Sequence, residues 1–116
     1  MLRVHATVMA LLLGAAAALA DEVGDCGHPI PERSIQGCSL LLESTRAIPQ
    51  ELALAYLSRG AAHIVMGDFD HAITDLDEAI RLNPRDPEAF TTRADAYLRK
   101  AGVTDYLREL DSAFQA

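Results

Sequence analysis

The sequence predicts an all-α fold built from antiparallel helix pairs, and two observations carry this prediction. First, the sequence aligns with itself after a shift of 34 residues, which places residues 53–86 over residue 87 onward. Identical residues meet at several positions of the two units, among them Ala55 with Ala89, Arg59 with Arg93, and Ala62 with Ala96. Second, apolar residues recur at helical spacing within each unit, and Gly67 and Pro84 stand where that spacing is interrupted. Such a period with helical patterning inside it is typical of an array of helix–turn–helix units.

Length and charge limit the kinds of protein that this chain can be. With 116 residues, it has room for one compact domain. Its formal net charge is −7, from 10 Lys and Arg against 17 Asp and Glu. Binding to a nucleic-acid backbone needs a basic surface that displaces counterions, so we expect no nucleic-acid partner.

Residues 1–20 have the three regions of a secretory signal peptide. Arg3 supplies the positive start, residues 8–13 form an unbroken apolar stretch, and residues 18–20 (Ala-Leu-Ala) resemble a cleavage site. The alternative is a transmembrane anchor, but a span needs about 20 apolar residues, and the acidic Asp21 follows a shorter run. We therefore predict an exported protein, periplasmic or secreted, with no membrane span after the signal is cleaved.

The two cysteines, Cys26 and Cys38, are predicted to form a structural disulfide. An even number of cysteines in an exported chain favours this pairing. A zinc site would need more ligands than these two residues and His28 supply, and a redox-active pair usually has the C-x-x-C spacing. The disulfide would tether a short helical segment near the start of the mature chain.

Residues 21–48 are predicted to contain that tethered helix and a linker. Residues 21–30 hold Gly and Pro without any period, which indicates an extended lead-in. Pro31 and Glu32 suit the first turn of a helix, because proline is tolerated there and a carboxylate favours the positive end of the helix dipole. An apolar stripe at helical spacing follows, made of Ile35, Cys38, Leu41 and Leu42. Pro49 is then placed to begin the next helix.

Residues 53–86 contain a set of residues at fixed spacing within the 34-residue unit, namely Tyr56, Gly60, Gly67-Asp68-Phe69, Ala72-Ile73, Leu76, Ala79-Ile80 and Leu82-Asn83-Pro84. On these residues the segment resembles a complete tetratricopeptide repeat. In this family pattern Gly60 and Ala79 are small because two helices approach closely there, and Pro84 ends a helix that cannot continue. The resemblance implies a short right-handed superhelix of antiparallel helix pairs, with about five helices after the signal peptide.

Residues 87–116 resemble a degenerate second repeat. The first helix fits the family pattern, but residues 101–103 (Ala-Gly-Val) replace the usual Gly-Asp-aromatic sequence, and Tyr106 occupies a position where the family has alanine. A helix is still expected there because an apolar stripe continues through Leu107, Leu110 and Ala113. The tethered helix of residues 21–48 resembles the second half of a preceding repeat. This layout is similar to that of small exported bacterial proteins of the repeat class.

The resemblance also implies a binding surface, because the first helix of each repeat lines a concave groove that holds a peptide or a partner helix. The residues at the corresponding positions are Leu54, Leu57, Ser58, Ala61, Val65, Glu88, Thr91, Thr92, Asp95 and Arg99. Those of the first unit are mostly apolar, and those of the second are polar and include two acidic residues. We therefore predict a protein–protein interaction module, with a structural subunit that buries the groove in a homo-oligomer as the alternative.

No residue pattern points to catalysis or to a bound cofactor. The densest polar cluster comprises Asp68, Asp70, His71, Asp75, Asp77 and Glu78, but it lacks the loop spacing of a calcium site. Sequence motifs for phosphate binding, serine hydrolysis and zinc proteolysis are absent. The prediction is a protein that is not an enzyme and that holds no metal and no cofactor.

Three polar residues have more than one interpretation. His63 stands where the family has tyrosine, which favours a core histidine, with pH sensitivity as the alternative. Arg59 and Arg93 share one repeat position. They are interpreted as partners in ion pairs within each repeat, with Asp75 in the first unit and Glu109 in the second. The alternative is that a guanidinium faces the carboxylate of a ligand.

Overall fold

The computed structural model of the protein describes residues 24–115, and these residues form five α-helices and no β-strand. The helices are α1 (Pro31–Glu43), α2 (Pro49–Val65), α3 (Phe69–Leu82), α4 (Pro87–Lys100) and α5 (Val103–Gln115). The predicted all-α fold class is thus confirmed. The predicted signal peptide, residues 1–20, lies outside the described residues.

Proline, aspartate and glycine mark the ends of the helices. The helices α1, α2 and α4 each begin with a proline, at Pro31, Pro49 and Pro87. The carboxylates of Asp68 and Asp86 cap α3 and α4, since each accepts a hydrogen bond from a backbone N–H in the first turn. After α2, Gly67 has a φ of 77°, a left-handed conformation that stops the helix where the sequence predicts a break.

The core lies where α2, α3 and α4 meet. Leu76 of α3 is fully buried there, together with Ala89 and Ala96 of α4. Helix α2 approaches α3 at Gly60, where an added Cβ would lie 2.9 Å from Leu76 Cγ and 3.3 Å from the carbonyl oxygen of Ala72. A small residue is therefore required at position 60, as predicted, although its nearest neighbours are Leu76 and Ala72 and do not include Ala79.

Because of this close approach, we expect substitutions at two equivalent repeat positions, 60 and 94, to have very different effects on stability. We expect Gly60→Leu to lower the free energy of unfolding by about 1–3 kcal/mol, because the side chain has no space between α2 and α3. Ala94 takes the same repeat position in α4 and is exposed, so Ala94→Leu should change that free energy by less than about 0.5 kcal/mol. Urea unfolding of both variants measures the difference. Equal losses would contradict the packing described here.

The last helix, α5, is the least well packed of the five. It packs on α4 much less extensively than α3 packs on α2, and it has no buried residue. Tyr106 occupies the repeat position of the fully buried Ala72, and a tyrosine side chain is too large for such a contact. Consequently Leu110 is 41% exposed, whereas its counterpart Leu76 is completely buried.

Candidate functional site

A cavity of about 360 Å³ lies beside α2, between this helix and the segment that leads into α1. Its lining includes six of the groove residues that the sequence predicts, namely Leu54, Leu57, Ser58, Ala61, Val65 and Glu88. The other four do not contribute to the lining and lie farther along α4, namely Thr91, Thr92, Asp95 and Arg99. The structure therefore brings the apolar part of the predicted groove together with one acidic residue of its polar part.

The apolar residues of α2 differ in how much surface they offer. Leu54 is 60% exposed and Val65 is 72% exposed, so both present most of their side chain to an incoming group. Leu57 differs from the groove expectation because only 7% of it is exposed and it belongs to the buried core cluster. A substitution at Leu57 would therefore disturb both the core and the cavity, whereas Leu54 and Val65 can be changed at the cavity alone.

The opposite wall of the cavity is formed by residues just before α1 and at its start. Gly27, His28 and Pro29 precede the helix, and Pro31 is its first residue. A disulfide between Cys26 and Cys38 fixes the start of this segment on α1. The backbone N–H of Gly27 donates a hydrogen bond of 3.1 Å to Ser34 Oγ, and Gly27 has a φ of 84°, which favours glycine. Sequence reasoning missed this wall, and its only signal was the position of Cys26 next to a proline-containing stretch.

The charge of the cavity is negative on one side. Glu88 supplies a carboxylate, and within residues 24–115 the lining contains no lysine or arginine. Farther along α4, Arg99 pairs with Asp95 in its own helix at 2.9 Å, so its charge is already compensated. The cavity thus combines an apolar floor with an acidic edge, which favours an apolar group that has a positive charge beside it.

Arg59 is part of the scaffold beneath this surface. Its guanidinium makes two hydrogen bonds of 2.8 Å to the buried carboxylate of Asp75, and a third of 3.0 Å to Ser39 Oγ of α1. The hydrogen bonds to Asp75 raise the pKa of Arg59 further above its usual range. The ion-pair interpretation is therefore correct for Arg59, which connects three helices.

The predicted partner of Arg93 is wrong. Arg93 forms a salt bridge of 2.7 Å with Asp77 of α3, where Glu109 of α5 was expected. Helix α5 packs only loosely on α4, and the arginine pairs with the preceding helix instead. Both arginines thus use their guanidinium within the fold.

Two histidines and two aspartates meet between α2 and α3. The rings of His63 and His71 stack with their centroids 5.4 Å apart, and His71 Nδ1 lies 2.6 Å from Asp68 Oδ2. His63 Nε2 lies 3.9 Å from Asp75 Oδ2. Burial lowers the pKa of His63, although the charges of both aspartates oppose this shift. In the described part of the chain, no group of three or more His, Cys, Asp or Glu is arranged to hold a metal ion.

The lowered pKa of His63 predicts that the fold loses stability in acid. The folded state disfavours the protonated imidazole, so this contribution to stability is complete above the unfolded pKa of about 6.5 and is lost as the pH falls through the lower folded value. In His63→Tyr, which introduces the residue of the family pattern, the loss of stability between about pH 7.5 and about pH 5.5 should be smaller than in the wild type. Urea unfolding at both pH values measures this. An unchanged loss would show that His63 does not carry the effect.

Comparison with known proteins relates part of this fold to a known repeat. Residues 53–86, which run from α2 through α3, match the family model of the tetratricopeptide repeat. These residues are thus similar to a repeat that generally mediates protein–protein interactions. A curated relative is Superkiller complex protein 3 of Mus musculus, which is 34% identical over 59 residues. This match covers 51% of the present chain but only 4% of that protein.

Two further findings concern solved structures and membrane spans. No solved structure shows a significant match to the chain. Among residues 24–115, no helix combines the length and the apolar character that crossing a membrane requires.

Proposed function

We propose that this protein is an exported protein–protein interaction module whose cavity beside α2 receives an apolar side chain of a partner. The observation that carries the proposal is the exposure of Leu54 and Val65 at a cavity of about 360 Å³. Apolar groups that line a concave site are typical of positions where a partner inserts an anchor. The tetratricopeptide repeat of residues 53–86 supports a protein as the partner.

The partner is a protein segment that presents an apolar side chain next to a lysine or arginine. The apolar side chain fills the space between α2 and the wall that precedes α1. The basic residue faces Glu88, the carboxylate at the edge of the cavity. The net charge of −7 favours a basic partner over an acidic one through long-range attraction.

Export is the second part of the proposal. Residues 1–20 direct the chain to the periplasm or out of the cell, and the disulfide between Cys26 and Cys38 suits such an oxidising compartment. Mass spectrometry of the protein recovered from the exported fraction is expected to show a chain that begins at Asp21. Recovery of the chain with Met1 still attached would contradict export with cleavage.

A phage-displayed library of random peptides tests the cavity. Wild-type protein should select peptides in which an apolar residue lies close to a lysine or arginine. Leu54→Glu should weaken their binding by about tenfold or more, because it places a charge in an apolar site. Glu88→Lys should remove the preference for basic residues. Leu98→Glu is the matched control, since Leu98 is also exposed but lies on α4 outside the cavity lining.

The alternative occupant of the cavity is a second copy of the chain. In that case the wild type sediments as a dimer or larger assembly, Leu54→Glu converts it to a monomer, and no peptide with the expected pattern is selected. This result would replace the interaction module with a structural, homo-oligomeric subunit. Both functions would be contradicted if the wild type is a monomer and the Leu54→Glu variant binds the selected peptides as tightly as the wild type does.

A further inference from the structure

A second apolar surface lies on α5, away from the cavity. Leu107 is 58% exposed and Phe114 is 92% exposed. These residues are seven positions apart and therefore lie on the same side of the helix. Asp111 lies between them and is also exposed. We call Leu107, Asp111 and Phe114 the α5 face.

The internal repeat places an equivalent surface on α3, and the structure shows that α4 packs beside it. A shift of 34 residues places Leu107, Asp111 and Phe114 on Ile73, Asp77 and Ile80 of α3. Ile73 and Ile80 pack against the buried cluster that includes Ala89 and Ala96 of α4. Between them, Asp77 binds Arg93 of α4 at 2.7 Å. Helix α4, which contributes two alanines to this cluster and the arginine that binds Asp77, thus packs beside the equivalent surface of α3.

The same arginine position contacts the preceding helix in both units. Arg59 of α2 donates a hydrogen bond of 3.0 Å to Ser39 of α1. Arg93 of α4 binds Asp77 of α3. In α5, Asp111 accepts a hydrogen bond from Gln115 of its own helix, and no salt bridge within residues 24–115 involves it. The carboxylate equivalent to that of Asp77 is therefore present in α5, and no cation within residues 24–115 pairs with it.

We infer that the α5 face is a docking site for an amphipathic helix of a partner protein that carries the pattern Ala-x-x-x-Arg-x-x-Ala. The two alanines allow this helix to approach Leu107 and Phe114 closely, as Ala89 and Ala96 approach α3. The arginine binds the carboxylate of Asp111, as Arg93 binds that of Asp77. This surface is separate from the cavity beside α2, so the inference goes beyond the proposed function.

A second copy of the chain is not the occupant. The described residues contain the pattern in α2, at Ala55, Arg59 and Ala62, and in α4, at Ala89, Arg93 and Ala96. All four alanines are buried within the fold, and both arginines bind carboxylates of α3. Neither α2 nor α4 can present its alanines and arginine to another molecule while the fold is intact. Within residues 24–115, an intact second copy therefore offers no such helix, and the occupant is a partner helix that carries the pattern.

A synthetic peptide with the sequence of residues 86–101 is the probe, because it contains α4 and its capping Asp86. Fluorescence anisotropy with the labelled peptide should show saturable binding to the full chain, with a dissociation constant below about 1 mM. Asp111→Lys should weaken binding by about tenfold or more, because it places a lysine opposite the arginine. Glu109→Lys makes the same charge change about 200° around the α5 axis and should leave binding unchanged.

Exchanging the charges of Arg93 in the peptide and Asp111 in the protein tests whether these two residues contact each other. The peptide with Arg93→Glu should bind wild-type protein weakly and Asp111→Lys protein more tightly, reversing the preference of the unaltered peptide. Circular dichroism of each variant should show unchanged helix content, since Asp111 and Glu109 are both exposed. Absence of saturable binding, or equal binding by wild type and Asp111→Lys, would overturn the inference. The Leu54→Glu variant, which should lose the peptides selected at the cavity, should still bind the peptide of residues 86–101 as the wild type does.

Discussion

Replacing Arg59 with methionine is expected to lower the free energy of unfolding by about 3–5 kcal/mol, because it leaves the charge of a buried carboxylate without its partner. The side chain of Asp75 is only 6% exposed, and the guanidinium of Arg59 donates two hydrogen bonds to its carboxylate. Methionine keeps much of the aliphatic volume of arginine, so the loss reports mainly on the ion pair. Chemical denaturation at neutral pH measures it.

Arg93→Met is the matched control for this experiment. Arg93 has the same repeat position and binds an aspartate, as Arg59 does. Each arginine also lies over an aromatic ring, Arg59 over Tyr56 and Arg93 over Phe90. Its partner Asp77 is half exposed, so water replaces the lost salt bridge, and the expected cost is about 0–1 kcal/mol. Equal costs for the two variants would contradict the argument that burial of Asp75 is the cause.

A second substitution separates the charge from the packing. Arg59→Met combined with Asp75→Leu removes both charges and should recover about half or more of the lost stability, because no ion then remains buried. If the double variant is less stable than Arg59→Met alone, the role of Asp75 lies in its packing or in its other contacts. The same unfolding measurement decides between these two results.

Reduction of the disulfide is the other change from which we expect a large effect. Closing a loop between residues 12 positions apart is worth about 3 kcal/mol in the chain-entropy model. The double variant Cys26→Ala/Cys38→Ala should therefore lower the melting temperature by about 10 °C or more. Calorimetry of the variant and of reduced wild type should agree, because both lack the same crosslink.

The disulfide variant should also lose peptide binding, and this distinguishes it from other destabilised variants. Cys26 fixes the segment from Gly27 to Pro31, which forms one wall of the cavity. At a temperature where the variant is still folded, peptides selected by wild type should bind it several-fold less tightly. Gly60→Leu provides the control, since it is destabilised between α2 and α3 without a change to that wall. Equal peptide affinity in wild type and the disulfide variant would show that the wall does not contribute to binding.

The sequence predicts the features of this fold that depend on local chemistry. Helix starts at Pro31, Pro49 and Pro87 follow from the fixed φ of proline, and the break at Gly67 follows from its left-handed conformation. The groove positions on α2 are those that the resemblance to the tetratricopeptide repeat implies. The helix boundaries, by contrast, need only neighbouring residues.

Features that depend on how separate elements meet were missed or predicted wrongly. The cavity wall at Gly27 and Pro29 belongs to a segment without periodicity, and its place is set by a crosslink to α1. The partner of Arg93 depends on how closely α5 packs on α4, which the repeat period does not give. The near-complete burial of Leu57 depends on how closely α3 and α4 approach α2, which the period alone does not give.

The loose packing of α5 has a consequence for how the protein opens. In a linear array of helices each element contacts mainly its neighbours, so α5 can detach without disturbing the core at Leu76. Segments with few buried contacts open at a much lower free energy than the core does. Backbone amides of residues 103–115 should therefore exchange their hydrogens with deuterated solvent well before those of α2 and α3. The chain consequently has a gradient of local stability, from a persistent helix pair at its centre to an end that a binding helix would hold in place.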